Sequence, residues 1–164
     1  MSTVAVTQVV DAPLERVWQM VTDLVARVHW LSTVDSVEVV TPGPFGTGTI
    51  WRETRTMPDG TRITEEFCVR ECEPPHRFEV ISPGSGADYW MTYTFAPIGI
   101  GRHRGGTSVT VEQRGTPSGP RGRVLELVFG GLAARTAEGA IRQELTDLAT
   151  ASTGRRDGSA TDAA

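Results

Sequence analysis

Glu53 and Glu65 stand on two neighbouring stretches of alternating residues, TIWRETRTM (49–57) and RITEEFCVRE (62–71). Opposed residues on paired strands bring their Cβ atoms to about 5 Å. Two carboxylates that close and out of water do not both ionise easily, so one holds a proton near neutral pH. Such a pair can act as acid and base, or clasp a ligand hydroxyl. Arg55 lies on the diagonal and can neutralise one carboxylate instead. Tyr93 is a further group able to move a proton, so Glu53, Glu65, Arg55 and Tyr93 are the candidate catalytic residues. The plainer alternative is a solvated end of a hairpin where the three charges form an ordinary cluster.

The pairing depends on the turn. Met57-Pro58-Asp59-Gly60-Thr61 suits a three-residue loop, with Pro58 second in a type I turn and Gly60 in the left-handed region. That loop sets Trp51 against Phe67, Glu53 against Glu65 and Arg55 against Ile63. A two-residue loop sets Trp51 against Cys68 and Glu53 against Glu66. The first register places both large aromatics on one face and is preferred. By alternation the inner face then holds Trp51, Glu53, Arg55, Glu65, Phe67, Val69, Phe78, Val80, Tyr89, Met91, Tyr93, Phe95, Val109 and Val111. A mostly aromatic surface with a few polar groups is the usual lining of a small-molecule site. The expected ligand contacts are Trp51, Phe67, Phe78, Tyr89, Met91 and Tyr93, with Trp30 near the mouth and Leu132 from the C-terminal helix.

Other chemistry-bearing residues point nowhere in particular. His29, His76 and His103 suit surface or capping positions. Cys68 and Cys72 on one strand lie about 13 Å apart, beyond disulfide reach, and miss zinc spacings. GIGRHRGG is glycine-rich but joins two strands and opens no helix, so it is no dinucleotide site. No Ser-His-Asp, metal-ligand or phosphate-loop spacing occurs, so no cofactor and no metal are expected.

The elements that must position these residues follow from periodicity. TVAVTQVV (3–10) is a strand. Asp11-Ala12-Pro13 opens a helix whose apolar face is Leu14, Val17, Trp18 and Val21, and a second short helix covers Leu24 to Leu31. A weak strand, Ser36 to Val40, and the loop TPGPFGTG follow. Strands are then expected over 49–57, 62–71, 77–82, 89–95 and 107–113, joined by hairpin-sized turns. From Arg121 to about Ala149 the period is helical, with stripes Leu125, Val128, Leu132 and then Ala134, Ala137, Ile141, Leu145, Leu148. Gly130-Gly131 is a candidate kink. This order is α+β: a curved antiparallel sheet around one long C-terminal helix, residues 1–150 in a single domain, with a disordered tail at 151–164.

The chain has 164 residues, 38% hydrophobic and 22% charged, which suits one globular domain. A net charge of -4 and a pI near 5.4 argue against a nucleic-acid partner. No stretch reaches membrane-span length and the first residues lack a secretory pattern, so no membrane insertion and a cytoplasmic location are expected. Every basic residue is Arg. The oligomeric state is not readable.

DAPLERVWQMVTDLVARVHWL, FGTGTIWRETR, ECEPPHRFEV, YTFAPIG and GGTSVTVEQRG together resemble the START-like superfamily, also called SRPBCC or Bet v 1-like. Within it, the bacterial polyketide cyclase/dehydrase and lipid-transport branch is the nearest likeness. The resemblance covers nearly all of 1–150 and implies the helix-grip fold, with two short helices after the first strand. It implies a small hydrophobic or aromatic ligand, lipid- or polyketide-like, in a cavity between sheet and helix. The alternatives it carries are a cyclase or aromatase using cavity carboxylates, and a protein-interaction module of the Hsp90-activator kind. It transfers no catalytic residue.

Overall fold

The alternating stretches form one seven-stranded antiparallel sheet in a computed structural model that describes residues 2–57, 59–84, 87–117 and 119–154; from 117 to 135 it describes no side chain. The elements are β1 (Ser2–Val10), α1 (Leu14–Thr22), α2 (Arg27–Trp30), β2 (Ser36–Val39), β3 (Ile50–Thr56), β4 (Arg62–Glu73), β5 (Arg77–Pro83), β6 (Ala87–Pro97), β7 (Thr107–Pro117) and α3 (Gly119–Gly154). The sheet order is β1-β7-β6-β5-β4-β3-β2. Consecutive strands β2 to β7 pair as hairpins, and β1 joins the far edge against β7. The two short helices therefore carry the chain from one edge of the curved sheet to the other, and α3 returns across it. This is the helix-grip arrangement of the α+β class.

The preferred register is the one found: Trp51 opposes Phe67, Glu53 opposes Glu65 and Arg55 opposes Ile63. Gly60 has φ +84, the left-handed conformation that glycine adopts without a Cβ clash. Its N–H donates to the Met57 carbonyl (2.8 Å), and the Met57 N–H donates to the Thr61 carbonyl (2.7 Å). Asp59 Oδ1 accepts from the Thr61 N–H at 2.9 Å and fixes the corner. Pro58 lies outside the described residues.

Alternation buries one face. Trp51, Phe67, Val69, Phe78, Val80, Tyr93, Phe95, Val109 and Val111 are all buried in one cluster. In β4 the pairing shifts by one residue between Val69 and Glu71, a bulge that returns Cys72 to the inner face opposite Phe78. Cys68 and Cys72 are free thiols. The C-terminal half of α3 covers this face with Ile141, Leu145 and Leu148, all buried. Burying such a side chain contributes roughly 1.5–3 kcal/mol.

The bounds of two helices differ from the periodicity. α3 holds Gly130-Gly131 within one continuous helix, as the apolar stripes on either side imply. It also runs on to Gly154, past the boundary read at 150, and Ser152 is buried. Its hydroxyl donates back to the Leu148 carbonyl (2.7 Å), which lets a polar residue continue an apolar stripe. The second helical piece is shorter than expected and spans Arg27–Trp30 alone. No described helix is long and apolar enough to cross a membrane.

Candidate functional site

On the inner face the alternation of β3 aims Trp51, Glu53 and Arg55 in one direction. Glu53 is fully buried, at 0% exposure. It does not share a proton with Glu65, as the facing carboxylates alone suggest. Two guanidinium groups reach it instead: Arg27 Nε donates to Oε1 at 2.7 Å and Arg55 Nη2 donates to Oε2 at 2.7 Å. The Trp51 indole N–H donates to Oε1 as well, at 3.0 Å. Burial by itself would raise the carboxyl, but Arg27, Arg55 and these N–H donors outweigh it and hold Glu53 below the usual 4.5. Glu65 leans to the rim, where its side chain keeps 40% exposure, and its Oε2 lies 3.5 Å from Arg55 Nε. A solvated cluster fits Glu65 but not Glu53.

Arg27 arrives from α2 and is itself buried. Burial opposes its charge, yet Glu53 and Glu144 keep it protonated. Its Nη2 extends to Glu144 Oε1 at 3.4 Å, which brings α3 into the same network. The Tyr93 hydroxyl donates to Glu144 Oε1 at 3.2 Å. Burial first, and then the Glu144 charge, push the Tyr93 phenol well above 10, so it stays protonated. The result is a chain Arg55–Glu53–Arg27–Glu144–Tyr93, buried at Glu53, Arg27 and Tyr93 and half-buried at Arg55 and Glu144, in which two cations meet two anions. Arg55 Nε is buried and has no hydrogen-bond acceptor. Among the described residues no group of three His, Cys, Asp or Glu gathers to hold a metal.

The aromatic residues divide in two. Trp51 stacks on Phe67 (5.2 Å between centroids) and Phe78 on Tyr93 (4.5 Å). Trp18 from α1 and Phe45 from the β2–β3 loop close on Phe78 at 5.7 and 5.1 Å, so that end is filled by protein. Tyr89 and Met91, further along β6, stay half-buried. Trp30, expected near the pocket mouth, packs half-buried against the edge of the core cluster. It lines an outer cleft of about 400 Å³ between α1, α2 and the end of α3, with the Arg27 guanidinium 5.5 Å from its ring centre. Leu132 lies outside the residues with described side chains.

Sequence reasoning missed Arg27 and Glu144. Both carried a signal. Arg27 falls three residues after Leu24 and four before Leu31, and Glu144 three after Ile141 and four before Leu148, so each interrupts an apolar helical face. Opposite charges at core-facing positions of two elements call for a partner.

The sequence pattern of the family described as "Polyketide cyclase / dehydrase and lipid transport" matches residues 1–153. A START superfamily protein from Mycobacterium smegmatis has a similar structure: TM-score 0.74, 14% identity, 93% of this chain and 98% of that one covered. A protein from Thermus thermophilus superposes with TM-score 0.66 at 24% identity, over 93% of this chain and all (100%) of that one. The di-domain ARO/CYC BexL from the BE-7585A biosynthetic pathway matches with TM-score 0.63 at 22% identity, over 93% of this chain and 48% of BexL. The curated proteins include no match to this sequence.

Proposed function

The chain belongs to the polyketide cyclase/dehydrase and lipid transport family of START-like proteins, and on that premise we propose that it binds a small hydrophobic or aromatic molecule bearing a polar oxygen, between the sheet and α3. The observation that carries this reading is the fully buried Glu53, braced by Arg27 and Arg55 beside the stacked Trp51 and Phe67 rings. Buried ion pairs are weak sources of stability, because desolvation offsets most of the attraction. A network of this kind inside an aromatic face supports a role in recognition. The half-buried Tyr89 and Met91 provide the apolar contact, while the orphaned Arg55 N–H and the Tyr93 hydroxyl oxygen address the ligand's polar atom.

The enzyme alternative changes form. An ionised, doubly paired Glu53 is a poor acid and a poor base, so a cyclase working through a Glu53–Glu65 proton is disfavoured. The protein-interaction alternative finds little support among the described residues. Their exposed large apolar side chains, Val25, Val39, Val40, Met57 and Ile100, belong to four separate segments.

The neutral probe N-phenyl-1-naphthylamine tests the reading by fluorescence titration. Saturable binding to the native protein is expected, with a weaker affinity in Trp51→Ala through lost contact area. Mass spectrometry of co-purifying small molecules then identifies the natural class. Failure of the wild type to bind the probe, or equal binding by a folded Trp51→Ala, removes the proposal.

A further inference from the structure

The outer cleft of about 400 Å³ is lined by Arg16, Gln19 and Met20 of α1, Asp23 and Ala26 beyond it, His29 and Trp30 of α2, and Ala151 of α3. Its size suits a small organic molecule. Five buried side-chain nitrogens among the described residues have no hydrogen-bond partner, and three belong to this lining: Arg16 Nε, Arg16 Nη2 and Trp30 Nε1. Buried donors are seldom left unpaired, so three of them on two residues of one cleft wall ask for an acceptor.

The identity of the two Arg16 atoms says which acceptor. Nε and Nη2 lie along one edge of the guanidinium, and that edge offers two parallel N–H groups matched to the two oxygens of a carboxylate. Arg16 makes no ion pair among the described residues. Asp23 Oδ1 is engaged by the Ala26 N–H (3.2 Å) and lies beyond ion-pair distance of Arg16. Turning the guanidinium edge into the cleft therefore breaks no hydrogen bond and makes two. Met20, Ala26, Ala151 and the Trp30 ring supply an apolar wall beside that edge. A bare inorganic anion would leave this wall unused.

We infer that this cleft is a second ligand site, for a small carboxylate with an apolar body, held by the Arg16 edge and the Trp30 indole N–H. It opens outside the inner face, which it adjoins through Trp30, whose ring centre lies 5.5 Å from the Arg27 guanidinium.

Benzoate is the probe, with inorganic phosphate as the comparison, followed by calorimetry and by ¹H–¹⁵N spectra of the arginine Nε–H and tryptophan indole signals. The four tryptophans give four indole signals, and Trp30→Phe identifies that of Trp30. Benzoate is expected to bind saturably and to shift the Trp30 and Arg16 signals. Arg16→Gln should lower its affinity about tenfold or more, the loss of a charge-assisted pair. N-phenyl-1-naphthylamine binding should be the same in Arg16→Gln as in the wild type. Arg16 is half-buried, and a thermal melt checks that the variant folds. Absent benzoate binding, unchanged affinity in Arg16→Gln, an unmoved Trp30 signal, or phosphate bound as tightly as benzoate would each overturn the assignment.

Discussion

Glu53 and Glu65 are directly opposed on one hairpin and point to the same face, yet they have different chemistry. Glu53 lies under α2 and α3, sealed from water between two guanidinium groups. Glu65 lies at the rim, 40% exposed, beside Arg55 alone. Their strand positions are equivalent, so the difference comes from what covers them. A sheet register decides which side chains share a face. A helix crossing that face decides which of them leave water, and a buried carboxylate must then find cations or lose its charge.

The contrast can be broken most directly at the buried member. Glu53→Gln removes the charge between Arg27 and Arg55 and leaves one buried and one half-buried cation short of an anion. Loss of one partner from a buried pair costs about 3–5 kcal/mol, which urea unfolding should register as a lowered midpoint. A loss under about 1 kcal/mol would show that water reaches this pocket.

Acid separates the two residues next. Glu53 has a folded pKa below its ordinary 4.5, so between those two values the unfolded chain binds more protons than the folded one. Its contribution is thus complete above the ordinary value and falls away as pH drops through the depressed one. The stability gap between wild type and Glu53→Gln should narrow steadily below about pH 4.5. A gap that stays constant to pH 3, or widens, would contradict the ionised, arginine-paired state.

The smallest effect belongs to the rim. Glu65→Gln should change stability by no more than about 0.5 kcal/mol, because an exposed ion pair gains little against solvent. A loss comparable with that of Glu53→Gln would make the two carboxylates one coupled unit, and the comparison would fail.

Much of this frame was readable before any coordinates. The Asp59-Gly60 corner, with its left-handed glycine, pins the β3–β4 register within a few residues, and alternation then sorts Trp51, Glu53 and Phe67 to one face. These are short-range effects of turn chemistry and a period of two. The ten elements came through in order, with ends shifted where helix fraying or a polar residue such as Ser152 blurred the period. The bulge after Val69 was not legible, because an inserted residue leaves no mark in the pattern of types.

What surrounds Glu53 was decided only in three dimensions. Arg27 lies 26 residues from it along the chain, and the Arg27–Glu144 contact closes over 117. No local rule relates such positions. Their meeting depends on where α2 and α3 settle, which is governed by the summed packing of Leu31, Leu145, Leu148 and the aromatic cluster rather than by any motif. The sequence by itself determined the sheet, its inner face and the presence of charge on that face. The tertiary structure determined that the charge is dry, paired and ionised, because desolvation and Coulomb attraction act through space and depend on neighbours that the chain order does not name.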